Sequence, residues 1–121
     1  ARATLDAVCY QTRDLLEAMR ADGAPLPETI RVDGGMVQND WLMQRLADLT
    51  GNAVERARLA ETTALGAAYL AGLGCGLYGS LAEIEQLWAG GGAYAPKMAA
   101  SERDEGYAGW QEAVRRTLTR G

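Results

Sequence analysis

The run Arg31-Val-Asp-Gly-Gly-Met-Val-Gln-Asn-Asp40 joins a short strand to a helix through two adjacent glycines, and this junction constrains the chain more than any other feature. Two neighbouring positions without a β-carbon let a flat base, a ribose or a phosphate approach the main chain without a clash. The helix start that follows offers unpaired N–H groups and the positive end of its dipole to negative charge. Tight strand-to-helix turns also use Gly-Gly for steric reasons alone, so the motif by itself leaves both readings open.

The flanking periodicity says what the junction is built into. Leu5, Val8, Cys9, Thr12, Leu15, Leu16 and Met19 follow the three-and-four spacing of one helical face and predict a helix over about residues 2–21. Arg2, Asp6, Arg13, Asp14 and Glu17 fall mostly on its other side. Asp22-Gly-Ala-Pro-Leu-Pro27 ends that helix, with Gly23 at a C-cap position, and Thr29–Asp33 reads as a short strand. A second helix is expected over about 37–50, burying Trp41, Leu42, Leu46 and Leu49 and ending at Gly51. Ala53–Arg56 reads as a second strand.

Glu61-Thr-Thr63 supplies the start of a third helix over about 63–74. Its many small residues suggest close packing, since each helical glycine costs about 1 kcal/mol relative to alanine. Ser80-Leu-Ala-Glu83 is a capping box opening a short helix that ends near Trp88. Gly90-Gly-Gly92 reads as a flexible connection, because it lacks the Lys-Ser/Thr of a phosphate-binding P-loop. Ser101 is placed as the cap of a last helix on which Tyr107, Trp110, Val114 and Leu118 share a face. Two strands separated by a helix suggest a parallel pair with a right-handed crossover, and parallel strands normally lie buried within larger sheets. The chain therefore reads as the closing half of an α/β domain.

Composition narrows the chemistry. At 121 residues the chain is one domain or half of one, and its net charge of −4 is scattered, so no basic patch invites nucleic acid and no polybasic run invites a membrane. Histidine is absent, which removes the commonest general base and metal ligand. A metal here would need carboxylates or phosphate oxygens, the chemistry of Mg²⁺ carried in with a nucleotide. Cys9 and Cys75 lie far apart in apolar, helical stretches and read as buried packing thiols rather than a disulfide. Ala64–Leu77 is too short and too rich in glycine to span a bilayer, and a cytoplasmic location is expected. The opening Ala1-Arg-Ala-Thr-Leu-Asp6 reads as a segment cut inside or just before a helix. Trp41, Trp88 and Trp110 read as packing residues, and Glu61 and Glu83 as helix-start residues.

Four blocks in order carry a resemblance. They are Ala1–Met19 with its Tyr10-Gln-Thr-Arg-Asp14 core, Arg31–Gln44, Val54-Glu-Arg56 with Glu61–Leu73, and Tyr107-Ala-Gly-Trp110. Together they resemble the carboxy-terminal part of the FGGY carbohydrate kinases, within the actin/hexokinase/Hsp70-type ATPase superfamily. The Tyr10–Asp14 block favours the branch acting on glycerol over those acting on xylulose or gluconate. The resemblance implies an α/β fold, the carboxy-terminal part of a ribonuclease-H-like (actin-like ATPase) domain, helix-rich with a short parallel strand pair. Residues 1–121 would be one portion of the nucleotide-binding domain, with the upstream domain and strands elsewhere. It further implies transfer of the γ-phosphoryl group of ATP to glycerol, with Mg²⁺ on the phosphates. Gly34, Gly35 and Asn39 match the family's ATP contacts, with Asn39 in the first helical turn presenting both a donor and an acceptor. Asp33 could order a water there or brace the turn.

The catalytic base, the glycerol-binding residues and the loop holding the β- and γ-phosphates lie upstream in the family, so no residue of this chain is assigned a catalytic role and the segment alone is expected to be inactive. The expected partners are ATP/ADP, glycerol through the upstream domain, and further copies of the chain in a homo-oligomer. Pro96–Arg103 falls where some bacterial relatives bind a sugar-transport regulatory protein, but Lys97, Met98 and Ala99 depart from that pattern. Two other outcomes stay open: the same region of another FGGY sugar or polyol kinase, or a non-catalytic interaction module retaining the fold.

Overall fold

The computed structural model describes residues 2–58, 61–87 and 89–118. Helix α1 (Arg2–Ala21) leads through the proline-bearing loop into strand β1 (Thr29–Val32). A single 3₁₀ turn (Gly35–Gln38) and helix α2 (Asp40–Thr50) follow, then strand β2 (Ala53–Ala57) and helix α3 (Thr62–Gly74). The short helix α4 (Leu81–Glu85), strand β3 (Gly90–Tyr94) and helix α5 (Ala100–Leu118) complete the order. The expected parallel pair is present, with Ile30 opposite Val54 and Val32 opposite Arg56. Among the described residues, no helix is long and apolar enough to cross a membrane.

The sheet differs from expectation in having a third strand. Gly90–Gly92 is no flexible connection: it opens β3, which runs antiparallel to β2 with a register shift between Arg56 and Ala57. Its glycines make that closeness possible. A β-carbon on Gly91 would fall 2.8 Å from the Arg58 Cα and 3.0 Å from the Ala57 carbonyl oxygen.

The core lies on one face of the sheet. Ile30 and Val32 on β1, Val54 on β2 and Tyr94 on β3 meet Leu42, Met43, Leu46, Ala47 and Leu49 of α2, with Cys9 of α1 behind them. Burial first, and then the nearby Asp6 carboxylate, push the Cys9 thiol up to about 11, so it stays protonated at neutral pH. Arg45 of α2 donates to Asp6 of α1 at 2.7 Å and pins the two helices. At the end of α2, Gly51 adopts φ 76° and returns its N–H to the Ala47 carbonyl at 2.9 Å, a left-handed cap that disfavours any β-carbon.

Helix α5 docks through the block that carried part of the resemblance. Asp14 accepts from the Tyr107 hydroxyl at 2.6 Å and from Trp110 Nε1 at 2.7 Å. Arg13 pairs with Asp104 at 2.6 Å, and its guanidinium lies 4.1 Å over the Tyr107 ring. Tyr10 stacks on Trp110 with centroids 5.5 Å apart. The side of α1 that carries Arg13 and Asp14 is thus covered by α5. Asp14→Asn turns one acceptor into a donor facing a donor, and should lower stability by about 1.5–3 kcal/mol in urea unfolding, the range for a hydrogen bond to a charged group.

Other expectations are corrected. Trp41 is 45% exposed and packs into no core, and Leu118 is 75% exposed at the end of the α5 face. Cys75 is exposed. Ser101 lies inside α5, which begins at Ala100. Ser80 caps α4 by accepting from Glu83 N at 3.2 Å, while Glu83 reaches back to Gly79 N instead of Ser80 N. In α3 the close contact at Gly72 comes from its own C-terminal turn, where Leu77 N and Tyr78 N both donate to the Gly72 carbonyl. Trp88 lies outside the described residues.

Candidate functional site

The Asp33-Gly-Gly junction sits where β1 ends, at the rim of the core face. Gly34 holds φ 92°, ψ 178°, a conformation open essentially to glycine alone. Its carbonyl accepts from Val37 N at 3.3 Å, which closes the 3₁₀ turn and plugs Val37 into the core. Gly35 needs no unusual backbone, and a β-carbon built there would meet nothing within 4 Å. The space over Gly35 is therefore open.

Asn39 is the N-cap of α2 and precedes its first turn. Its Oδ1 accepts from Leu42 N at 3.1 Å, while its own carbonyl begins the helix by accepting from Met43 N at 3.0 Å. The expectation that Asn39 offers both a donor and an acceptor outward is narrowed accordingly: Oδ1 is committed to the cap. The residue is exposed, and its Nδ2 has no protein partner among the described residues. Capping and ligand contact are thus compatible, because the cap fixes the carboxamide and points one kind of group at solvent. Gly35 and Asn39 line one shallow hollow of about 340 Å³ with Leu5, Met36, Gln38 and Leu42. Gly34, next in the chain to Gly35, is not among the residues that line it.

Asp33 braces rather than opens the site, since its carboxylate accepts from the Thr62 hydroxyl at the start of α3. A second hollow, about 270 Å³ and apolar, lies between β2, α3 and α4 and is lined by Ala57, Leu65, Tyr69, Ile84 and Leu87 among others. It shares no residue with the Gly34–Asn39 loop.

Two residues that sequence reasoning missed, Arg56 and Tyr94, hold the loop from outside. Arg56 Nη1 donates to the Val37 carbonyl at 3.3 Å and to Asp40 Oδ1 at 2.7 Å. The Tyr94 hydroxyl donates to the same Asp40 oxygen at 2.5 Å. That hydroxyl, and next the Arg56 charge, hold the Asp40 carboxyl below its usual range, and the bond to Asp40 holds the Tyr94 hydroxyl above its own. Asp40 is therefore ionised and Tyr94 protonated at neutral pH, the states this contact requires. No local signal links residues so far apart in sequence, and Tyr94 belongs to the strand that the triglycine run concealed.

Residues 1–75 match the carboxy-terminal domain of the FGGY family of carbohydrate kinases. The chain belongs to that family. It is 59% identical over 119 residues to a glycerol kinase of Rhodospirillum rubrum and 56% identical over 119 residues to one of Ectopseudomonas mendocina, covering 98% of this chain in each case. The crystal structure of Plasmodium falciparum glycerol kinase with ADP superposes with a TM-score of 0.84 at 32% identity, over 97% of this chain. The chain spans about a quarter (24%) of the length of each of these relatives. The FGGY likeness carries the fold with it: this is the helix-rich carboxy-terminal part of an actin-like ATPase domain, its parallel pair extended by β3 into a mixed sheet.

Proposed function

We propose that this chain is a portion of the nucleotide-binding domain of an ATP-dependent glycerol kinase, and that Gly34, Gly35 and Asn39 form the wall on which adenosine rests. The open space over Gly35, bounded by a carboxamide whose orientation the helix cap fixes, is the observation that carries this. The ADP complex of a relative sharing 32% identity supports a nucleotide ligand, and the glycerol kinases at 56% and 59% identity support glycerol as acceptor. Phosphoryl transfer depends on positioning and charge stabilisation, so one wall of a cleft supplies affinity and orientation, not chemistry.

Mg²⁺ belongs to the same proposal. Among the described residues no three carboxylates or thiols gather to hold a metal, and Mg²⁺ in such a site takes its ligands largely from the substrate phosphates and water. Two features favour a larger domain around this piece. Among the described residues strand β1 pairs with β2 alone, so its outer edge can take a further strand. Leu70, Leu77 and Leu81 on and after α3 are between 64% and 71% exposed, apolar surface of the kind that further chain covers. Cytoplasmic location and a homo-oligomeric state complete the proposal.

The test uses the intact protein in an ATP-dependent glycerol phosphorylation assay. Gly35→Val combined with Asn39→Ala should raise KM for ATP by about tenfold or more, the loss of roughly one good contact plus a steric block, with KM for glycerol little changed. Unchanged ATP dependence would remove the site assignment. A panel of polyols and sugars, with glycerol preferred, checks the acceptor.

A further inference from the structure

Arg56 occupies an unusual place. It pairs in register with Val32 and lies two residues along β2 from the core residue Val54, so its side chain leaves the sheet on the face that α2 covers. At the rim of that face it meets the underside of the Gly34–Asn39 loop. Its Nη1 takes the Val37 carbonyl and the Asp40 carboxylate together, and its Nε donates to the Gly91 carbonyl at 3.2 Å. The guanidinium lies against Gly92, where a β-carbon would come within 3.1 Å of Nε. Val37 and Asp40 flank Gln38 and Asn39. Nη1 therefore holds the chain on both sides of Asn39 while Nε anchors the same planar group to β3, and Tyr94 on β3 adds a third point through Asp40.

We propose that Arg56, with Tyr94 in support, is a positioning residue for the nucleotide site: it fixes the stretch from Val37 to Asp40 so that the Asn39 carboxamide is aimed before ligand arrives. This role rests on the proposed contact between Asn39 and nucleotide. The physical ground is preorganisation. A 3₁₀ turn followed by a cap residue in extended backbone is a joint, and Asn39 holds φ −87°, ψ 99° between two helical segments. A charge-assisted contact on each side of the joint removes conformations in which the carboxamide points elsewhere, and ligand then binds without bearing that ordering cost. The carboxylate is ionised at neutral pH, so the grip persists under working conditions. Arg56 touches neither nucleotide nor reacting atoms in this scheme. It acts through Asn39.

A double-mutant cycle on the intact protein tests this, with ADP titrated by calorimetry and steady-state rates measured in parallel. Arg56→Gln should weaken ADP binding and raise KM for ATP by about three- to tenfold, with kcat and KM for glycerol unchanged. Arg56→Lys should recover part of the loss, since an ammonium reaches Asp40 but has no second nitrogen held against the Gly91 carbonyl to fix its direction. In an Asn39→Ala background, Arg56→Gln should have no further effect, because its target is gone. Tyr94→Phe keeps the ring and removes one donor, so it should give a smaller loss in the same direction and serves if Arg56→Gln fails to fold. Multiplicative losses in the double variant, or a fall in kcat together with both KM values, would overturn the positioning role. Normal ADP affinity in Arg56→Gln and Tyr94→Phe beside a weakened Asn39→Ala would overturn it alone. Normal ADP affinity in Asn39→Ala would overturn the nucleotide assignment and this inference with it.

Discussion

Placing valine at position 34 of the intact protein should weaken nucleotide binding, destabilise the fold, or divide its effect between the two. The backbone there, φ 92° and ψ 178°, lies in a region that side chains avoid. Holding a non-glycine residue in such a conformation costs about 1–3 kcal/mol, and a β-branched residue falls at the upper end. If the loop relaxes to escape that strain, Asn39 moves with it, and ADP affinity falls by about 5- to 150-fold, the same range converted at tenfold per 1.4 kcal/mol. If the loop holds, the cost appears in unfolding instead. Gly35→Ala separates the two effects. Nothing lies within 4 Å of a β-carbon at that position and its φ is not positive. It should leave stability unchanged, so any loss of ADP affinity reports the approach of ligand to the main chain. Equal affinity and equal stability in Gly34→Val would contradict this account of the turn.

Truncating Leu49 should cost the fold more than either Asp14→Asn or Gly34→Val. Leu49 is 1% exposed and sits on the last turn of α2 within the same cluster as Val54 and Cys9. Leu→Ala at such a site loses the transfer free energy of the removed groups and leaves a cavity, together about 2–5 kcal/mol. The surroundings have little freedom to collapse. Gly51 caps the helix just beyond, and Arg13 of α1 donates to the Leu49 carbonyl at 3.5 Å. Urea unfolding followed by tryptophan fluorescence would measure it. A loss under about 1 kcal/mol would mean that α2 does not form the centre of this core. Trp41→Ala, by contrast, should change stability little, because that ring is half exposed.

Features written in local periodicity and caps were legible in the sequence. Helix α1 shows its apolar stripe, Gly51 marks the end of α2, and β1 and β2 stand out between turn residues. The parallel pairing followed from the helix between them. What could not be read was set by contacts between distant residues. Gly90–Gly92 has the composition of a linker, and only the need to lie tightly against β2 makes it a strand. Asp14 and Arg13 look like solvated helix charges until α5 brings Tyr107, Trp110 and Asp104 to them. Trp41 has the residue type of a core anchor, but the sheet and α1 take the neighbouring Leu42 and Met43 instead. At the candidate site, Gly34 and Gly35 were nameable because a glycine pair announces itself, and Asn39 was reached through the family resemblance. Arg56 and Tyr94, which hold the loop from below, were not, since their partners lie 16 or more residues away.

The most direct measurement is the structure of the intact protein with ADP bound. Adenosine should lie against the main chain of Gly34 and Gly35, with Asn39 Nδ2 within hydrogen-bond distance of the nucleotide and its Oδ1 still accepting from Leu42. Nucleotide bound elsewhere, with the hollow over Gly35 empty, would contradict the assignment.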